Sequence, residues 1–366
     1  MIDIVSKSKE VIFLSDVHFG VKNASIEWQA NICGYFNDFF IPIVKSEIEQ
    51  GKSPCIIIAG DYFESRANID ISVLNSAMDI MDKLAEMCCV YLLVGNHDIY
   101  KNNDTAISSL RVFKGHKNVE VISELTNLTV GNKKFLLVPW IGNYSVENDI
   151  INQFKDTCDF MVFHTEISGM TYDNDRPIVN GMNISVLDDK CRILSGHIHK
   201  RQESKKAMYF GSPYATSRSD IGNEKGVYIF ECKGKGATRR FISNDYSPKF
   251  IRLNFCDYGK DVQNWSIINN NYVDIVFTES EVNNFNANKF IEELRVHSPR
   301  NIEMFIRKEE KTADTISDDS IYNSDATIET MFNNSVKDIE LKPSQYKEIE
   351  KLNKDYLARA AKELGL

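Results

Sequence analysis

The chain has no run approaching the roughly 18 consecutive apolar residues that a membrane-spanning helix needs, and its opening, MIDIVSKSKE, lacks the apolar centre of a secretory leader. Neither a membrane-embedded nor an exported protein is expected. Eight cysteines in a chain this long, with no CxxC pair, are not a disulfide framework. Cys55, Cys88, Cys89 and Cys191 lie in or beside apolar runs, as reduced thiols of a cytoplasmic protein do. Positive charge is also short: 43 Lys and Arg stand against 52 Asp and Glu, a net −9. That balance excludes a protein held to nucleic acid by bulk charge alone. Much of the acidity is local, however. Glu309, Glu310, Asp314, Asp318, Asp319 and Asp325 face only Lys311 in a stretch with the look of a linker. What remains is ordinary: 43% hydrophobic and 26% charged residues over 366 positions, enough for a real core and more than one domain.

The first half alternates apolar runs with helical patterns. VIFLSD (11–16), CIIIAGD (55–61) and VYLLVGN (90–96) each predict a short buried strand ending at a polar residue. Amphipathic stretches lie between them, from Ser25 to Gln50 and from Ile71 to Met87, so βαβ units and a parallel sheet are expected. A strand-rich series follows at 119–122, 134–140, 159–164, 191–196, 207–211, 226–231 and 238–242, predicting a second, mixed sheet packed on the first. Beyond NDYSPK (244–249), strands at 250–255, 272–277 and 302–308 with a helix over about 286–296 predict a small α+β unit. After the acidic stretch come two amphipathic helical patterns. Ile328, Met331 and Phe332 mark the first, and Ile349, Leu352 and Tyr356 the second.

Five of the seven histidines stand in short polar motifs at predicted strand ends: SDVHFG (15–20), GNHD (95–98), FHTE (163–166) and GHIH (196–199). GDYFESR (60–66) adds a carboxylate at another. Residues i and i+2 of a strand share a face, so Asp16 with His18, and His197 with His199, can grip one ion together. Open α/β sheets place ligands beyond the carboxyl ends of their strands. Imidazole, carboxylate and amide donors without cysteine suit manganese, iron or zinc better than a soft metal. A single histidine at a strand end is more often a packed residue than a ligand, and a lone GNHD is a turn signal. The ordered series DxH, GD, GNHD, His, GHxH, each after an apolar run, is what points to a metal site.

That series resembles the calcineurin-like binuclear metallophosphoesterases over about residues 10–200. The resemblance implies that Asp16, His18 and His199 hold one divalent ion, that Asn96, His164 and His197 hold a second, and that Asp61 bridges them. The ions would be manganese, with magnesium as the alternative. Two such ions against two ligand carboxylates leave a formal +2 that attracts phosphate. His97 would contact the phosphate and protonate the leaving oxygen. Asp98 would orient His97, the bland alternative being a turn or cap carboxylate.

GDYFESR is similar to a segment of the protein phosphatases. VGNHD, VPW (138–140), SGHIH and YFGSPY (209–214), followed by a small α+β unit and C-terminal helices, resemble instead the SbcD-type DNA repair nucleases, and among these the recombination endonuclease subunits of large tailed phages. The implied fold is α/β, a two-sheet α/β/β/α sandwich with a small α+β capping domain and C-terminal helices. The implied organisation is a nuclease core over 1–245, a DNA-binding cap over 246–308, a linker over 309–326 and a partner-binding helical segment over 327–366. The implied activity is 3′→5′ exonuclease on duplex ends and endonuclease on single strands, in DNA repair and recombination. It would run in the cytoplasm of a bacterial or phage-infected cell, as a homodimer bound to the coiled coil of an SbcC-like ABC ATPase. Two rivals stand beside this reading. One is a general phosphoesterase for small or protein substrates; the other is a DNA-tethering subunit with weak catalysis, which has no need of the full ligand series.

One departure stands out. Some relatives carry a histidine where this chain has Glu64, so a second proton donor is not implied, and Glu64 is left to orient a histidine or ligand. Arg66 matches the arginine of the motif and is a candidate for a DNA phosphate, against a surface ion pair. Lys200 and Arg201 after GHIH are candidates for tracking phosphates. Tyr214 is a candidate for stacking a nucleotide, core packing being the commoner fate. Ile328, Met331, Phe332, Ile349, Leu352 and Tyr356 are the candidate partner contacts. Val73, Leu74, Leu110 and Phe113 fall where the family dimerises.

Overall fold

The computed structural model describes residues 1–100, 105, 107–188, 190–234 and 237–307. The expected linker, the C-terminal helical segment and its six candidate partner contacts lie outside the described residues.

Two mixed sheets pack face to face. The first runs in the order Thr238–Ser243, Gly226–Glu231, Glu10–Leu14, Pro54–Ile58, Val90–Leu93, Val119–Ile122. Its last four strands are mutually parallel, and the first two join antiparallel. The second runs Ile2–Val5, Thr126–Val130, Lys133–Leu137, Phe160–His164, Arg192–Gly196, Ala207–Tyr209, Gln202–Glu203.

Three strands expected in the second sheet, at 119–122, 226–231 and 238–242, therefore belong to the first. The reason is physical: an apolar run records that a strand is buried, not which neighbour supplies its hydrogen bonds. Glu10–Leu14 is central, paired on one edge with Pro54–Ile58 and on the other with Gly226–Glu231. All five of its residues are buried.

Alternation along the strands builds the layers. Ile12, Leu14, Ile56, Ile58, Val90 and Leu92 face a helical layer made of Ile26–Gly34, Ile41–Glu49 and Ile71–Met87. Val11, Phe13, Cys55, Ile57, Tyr91 and Leu93 face the second sheet, meeting Leu128, Phe135, Val162 and Leu194. Burial on both faces is why these strands read as continuous apolar runs. The outer face of the second sheet is covered by Ile150 and Ile151 of helix Tyr144–Phe154 and by the loop from Ile167 to Leu187. This is the α/β/β/α sandwich. Helix Ile71–Met87 has the predicted bounds, with Asp70 accepting from Ser72 N–H at its start.

After Ser243 the chain enters a three-stranded parallel sheet, Phe250–Asn254, Tyr272–Thr278 and Asn301–Arg307, with its own core around Trp265, Phe277 and Phe290. Trp28 of the sandwich stacks on Phe250 and Tyr272. Arg218 binds Asp274 at 2.9 Å and Glu303 at 2.6 Å.

Candidate metal centre

Five strand ends converge at one end of the sandwich. Asp16 and His18 follow Glu10–Leu14, Asp61 follows Pro54–Ile58, and Asn96 and His97 follow Val90–Leu93. The second sheet supplies His164, the last residue of its strand, and then His197 and His199 after Arg192–Gly196. Beyond the sheet the first two segments continue side by side. Asp16 N–H donates to Gly60 O (3.1 Å), His18 N–H to Asp61 O (3.0 Å), Phe19 N–H to Tyr62 O (2.8 Å), and Glu64 N–H returns to Phe19 O (3.0 Å).

Asp16, His18, Asp61 and His197 all sit at positive φ (55°, 53°, 52° and 85°), a region that non-glycine residues avoid. Each costs on the order of 1–3 kcal/mol, and such strain concentrates at functional sites. The glycines of GD and GN are fixed by crowding: a Cβ on Gly60 would overlap the His164 ring, and one on Gly95 the Asp61 carboxylate.

The donors fall into groups that can each hold a cation: Asp16, His18 and His199 in one, Asp61, His164 and His197 in another. His18 Nε2 lies 3.0 Å from His199 Nε2, and both approach Asp16 Oδ1, at 4.0 and 3.8 Å. His164 Nε2 lies 3.0 Å from Asp61 Oδ2, whose distance to His18 Nε2 is 3.9 Å, so Asp61 stands between the groups. The Asn96 amide turns one atom to His164 Nε2 (2.9 Å), His197 Nδ1 (3.0 Å) and Asp61 Oδ2 (3.3 Å), and the other to Arg66 Nη2 (2.9 Å). Oxygen and nitrogen of an amide are told apart by their surroundings. With oxygen inward, Asn96 faces the ring as a cation ligand does, its nitrogen then meeting the Arg66 guanidinium donor to donor; with nitrogen inward, it hydrogen-bonds the same ring and accepts from Arg66. The donor set fits a pair of divalent ions, with Asn96 oxygen turned inward.

The surroundings hold these groups in place. His164 Nδ1 donates to Ala59 O (2.8 Å), and His197 N–H donates to Asp16 Oδ1 (3.1 Å). Two carboxylates stand behind histidines: Glu64 Oε2 is 2.6 Å from His18 Nδ1, and Glu166 Oε1 is 3.6 Å from His197 Nε2. Glu166 in turn accepts from Tyr144 OH (2.7 Å) and Tyr172 OH (3.1 Å). Burial opposes charge on His18, yet the Glu64 carboxylate with Asp61 and Asp16 outweighs it and pushes the imidazole up to about 9. His164 is likewise pushed up to about 9, burial being outweighed by Asp61. Burial would raise Asp61, but His164, His18 and His97 hold it well below the usual carboxylate range. His197 beside Glu166 takes that carboxyl down to about 2 despite its burial.

His97 Nδ1 donates to the Glu64 carbonyl (2.7 Å) and its backbone N–H to Asp61 Oδ1 (2.8 Å). The expected contact between Asp98 and the His97 ring is not made. Asp98 instead accepts from Tyr62 N–H and Phe63 N–H (both 3.1 Å) and from Gly95 N–H (2.9 Å), tying the GDYF and GNHD loops together. Burial and the Asp61 charge push its carboxyl up to about 7.

Arg66 reaches the site beside Asn96. The other expected DNA contacts have internal partners. Lys200 pairs with Asp175. Arg201 pairs with Glu224, bonds Tyr228 OH (3.2 Å) and lies over the Phe241 ring. Tyr214 is buried, donates to Val17 O and packs on Tyr35, so it is a core residue and not a base-stacking platform. Val73, Leu110 and Phe113 are also core residues; Ile71, Ile107 and Val112 are the exposed apolar side chains of those segments.

Sequence reasoning passed over Glu166, the last residue of FHTE, placed two positions after His164 where a strand repeats its face. It also passed over Lys225, buried with its ammonium on His199 O (2.7 Å) and Ser212 Oγ (2.9 Å), for which no local signal exists. Trp140, the last residue of VPW, also walls the site, its ring centroid 5.4 Å from that of His197.

The family model for calcineurin-like phosphoesterases matches residues 9–201, the span that carries every one of these ligands. The chain belongs to that family. Calcineurin-like phosphoesterases work with two divalent ions, and the His and Asp clusters found here are sites for such metals. Exonuclease subunit 1 of Enterobacteria phage T4 is 27% identical over 300 residues, covering 80% of this chain and 83% of that protein. The 078R protein of Invertebrate iridescent virus 3, named as a phosphoesterase, is 26% identical over 55% of this chain and 56% of its own length. Among solved structures, the calcineurin-like phosphoesterase YfkN from Bacillus subtilis aligns with a TM-score of 0.33 at 10% identity, covering 64% of this chain and 90% of that one. Among the described residues, no helix is long and apolar enough to cross a membrane.

Proposed function

We propose that this phosphoesterase is a DNA nuclease that hydrolyses phosphodiester bonds at DNA ends, 3′→5′ on duplex ends and internally on single strands, as the nuclease subunit of a complex with an SbcC-like ABC ATPase. The observation that carries the reading is the complete ligand series at one end of the sandwich. It is supported by likeness to a phage exonuclease subunit that runs well past the family's own span, into the region of the third sheet.

Asp16, His18 and His199 would hold one ion and Asn96, His164 and His197 the other, with Asp61 shared. When bound, the pair supplies Lewis acidity toward phosphoryl oxygens and a water made nucleophilic at neutral pH. His97 would serve the leaving group. With Nδ1 committed to the Glu64 carbonyl, Nε2 is the nitrogen that can protonate the leaving oxygen, and a third of its side chain is exposed to meet substrate. Arg66 beside Asn96 offers a guanidinium to a non-bridging phosphate oxygen. Trp140 borders the same ring cluster and limits how a substrate base enters. The third sheet would cap the DNA, and the segment beyond 326 would dock the ATPase.

One observation favours the rival reading of a general phosphoesterase: Lys200 and Arg201 are paired with carboxylates of this chain at the surface, and Tyr214 is buried. The purified chain with Mn²⁺ or Mg²⁺ should degrade end-labelled duplex and single-stranded DNA, and Asp61→Asn should abolish this. Cleavage of bis(p-nitrophenyl) phosphate with DNA left intact, even when an SbcC-like ATPase and ATP are present, would move the protein to the general branch. Deleting 326–366 should abolish ATPase binding while leaving the basal nuclease; unchanged binding would contradict the docking assignment.

A further inference from the structure

Glu64 belongs to no ligand set derived above, yet it touches both functional halves of the site. Its backbone is pinned where Glu64 N–H donates to Phe19 O (3.0 Å), one residue beyond His18, and by the Phe19–Phe63 bridge. That register carries its side chain back onto His18, with Oε2 2.6 Å from Nδ1, the ring nitrogen on the far side from His199 and Asp61. The same oxygen lies 3.9 Å from His97 Nδ1, which is bound by Glu64's own carbonyl at 2.7 Å. The two rings meet edge to face, centroids 5.0 Å apart at 89°. His18, Glu64 and His97 thus form a third cluster beside the two ligand groups.

We propose that the Glu64 carboxylate is a positioning residue that couples metal binding to proton delivery: it fixes the ring of the ligand His18 and, through the edge-to-face packing of that ring, steadies the ring of the proton donor His97. This rests on the roles proposed above for those two histidines. Partners behind a ligand histidine set its tautomer and orientation, and their removal typically costs about 10–100-fold in metal affinity or activity. The carbonyl contact to His97 survives substitution of the side chain, so side-chain variants test the carboxylate alone. The side chain is 36% exposed, which leaves room for Gln or Ala without disturbing the core.

Glu64→Gln and Glu64→Ala in the full chain test this, with fold checked by circular dichroism and thermal melting. Mn²⁺ titration by calorimetry should show a weakening of about 10–100-fold at one site. At saturating Mn²⁺, kcat should fall at least about tenfold more on DNA, whose leaving alkoxide needs a proton, than on bis(p-nitrophenyl) phosphate, whose leaving group does not. Glu64→Ala should exceed Glu64→Gln in both respects. Unchanged Mn²⁺ affinity, or equal losses on the two esters, would overturn the coupling. The nuclease reading is judged separately: Asp61→Asn that kills activity while Glu64→Ala alters nothing sinks only the coupling, whereas DNA left intact by the native chain sinks the nuclease reading itself.

Discussion

His97 and the buried histidines behind it make distinct predictions at the scale of single residues. His97→Ala should lower kcat on DNA by about 10²–10⁴-fold. KM should change little, because the residue acts on the leaving oxygen; a rise in KM with kcat intact would make it a binding residue instead. His18 and His164 titrate near 6.5 when free and are pushed up to about 9 in the folded protein. Their protons therefore stabilise the metal-stripped fold fully below pH 6.5, and that contribution is lost as pH rises to 9. Metal must displace the same protons. The melting temperature of stripped protein should fall across pH 6.5–9 while apparent Mn²⁺ affinity rises, and affinity flat in that window would contradict the assignment of both histidines. Asp98 belongs to stability instead of chemistry. Asp98→Ala strands three backbone N–H groups, each worth about 1–3 kcal/mol when left unsatisfied. It should reduce the melting temperature as well as activity, whereas His97→Ala should reduce activity alone.

Strands and loops explain why the centre is rigid and how far it could be foreseen. Gly60→Ala should disorder it, since the new Cβ meets the His164 ring and φ is +94°. Loss of one Mn²⁺ per chain with the sandwich still folded is the expected result by calorimetry, and full occupancy would show that the loop yields. The motif residues were legible because each ligand lies within four residues of an apolar strand end, where the sequence records both burial and the break. Strands 119–122 and 226–231 were read with the bounds they have. Which sheet they join was not legible, because edge pairing between distant segments leaves no trace in the alternation of a buried strand. Thr126–Val130 was missed although its burial alternates, since TNLTV carries few large apolar side chains. Helix Tyr144–Phe154 was missed for a similar reason: Ser, Glu, Asn and Asp dominate it, and it buries little beyond Ile150, Ile151 and the unusual Glu147. Glu166 acquires its role only when loops from different strands meet. Lys200, Arg201 and Tyr214 show the converse, as residues that looked available until the fold supplied Asp175, Glu224 and Val17 as partners.

Across the whole molecule, the small third sheet is fastened to the sandwich by the Trp28–Phe250–Tyr272 stack and by the buried Asp274 between Arg218 and Arg252. If that sheet caps DNA, Arg218→Ala should lower kcat/KM for duplex ends while sparing bis(p-nitrophenyl) phosphate, and should speed amide exchange in Tyr272–Thr278. Equal effects on both substrates would remove the cap from DNA binding. An acidic chain can bind a polyanion here only if charge is supplied locally, which is what a loaded centre behind Asp16 and Asp61 would do. The central claim is therefore that two ions share Asp61, and calorimetric titration of the native chain with Mn²⁺ beside Asp61→Asn tests it most directly. Two ions per native chain, with both affinities weakened by the substitution, is the predicted result. A single ion, or two sites indifferent to Asp61→Asn, would contradict it.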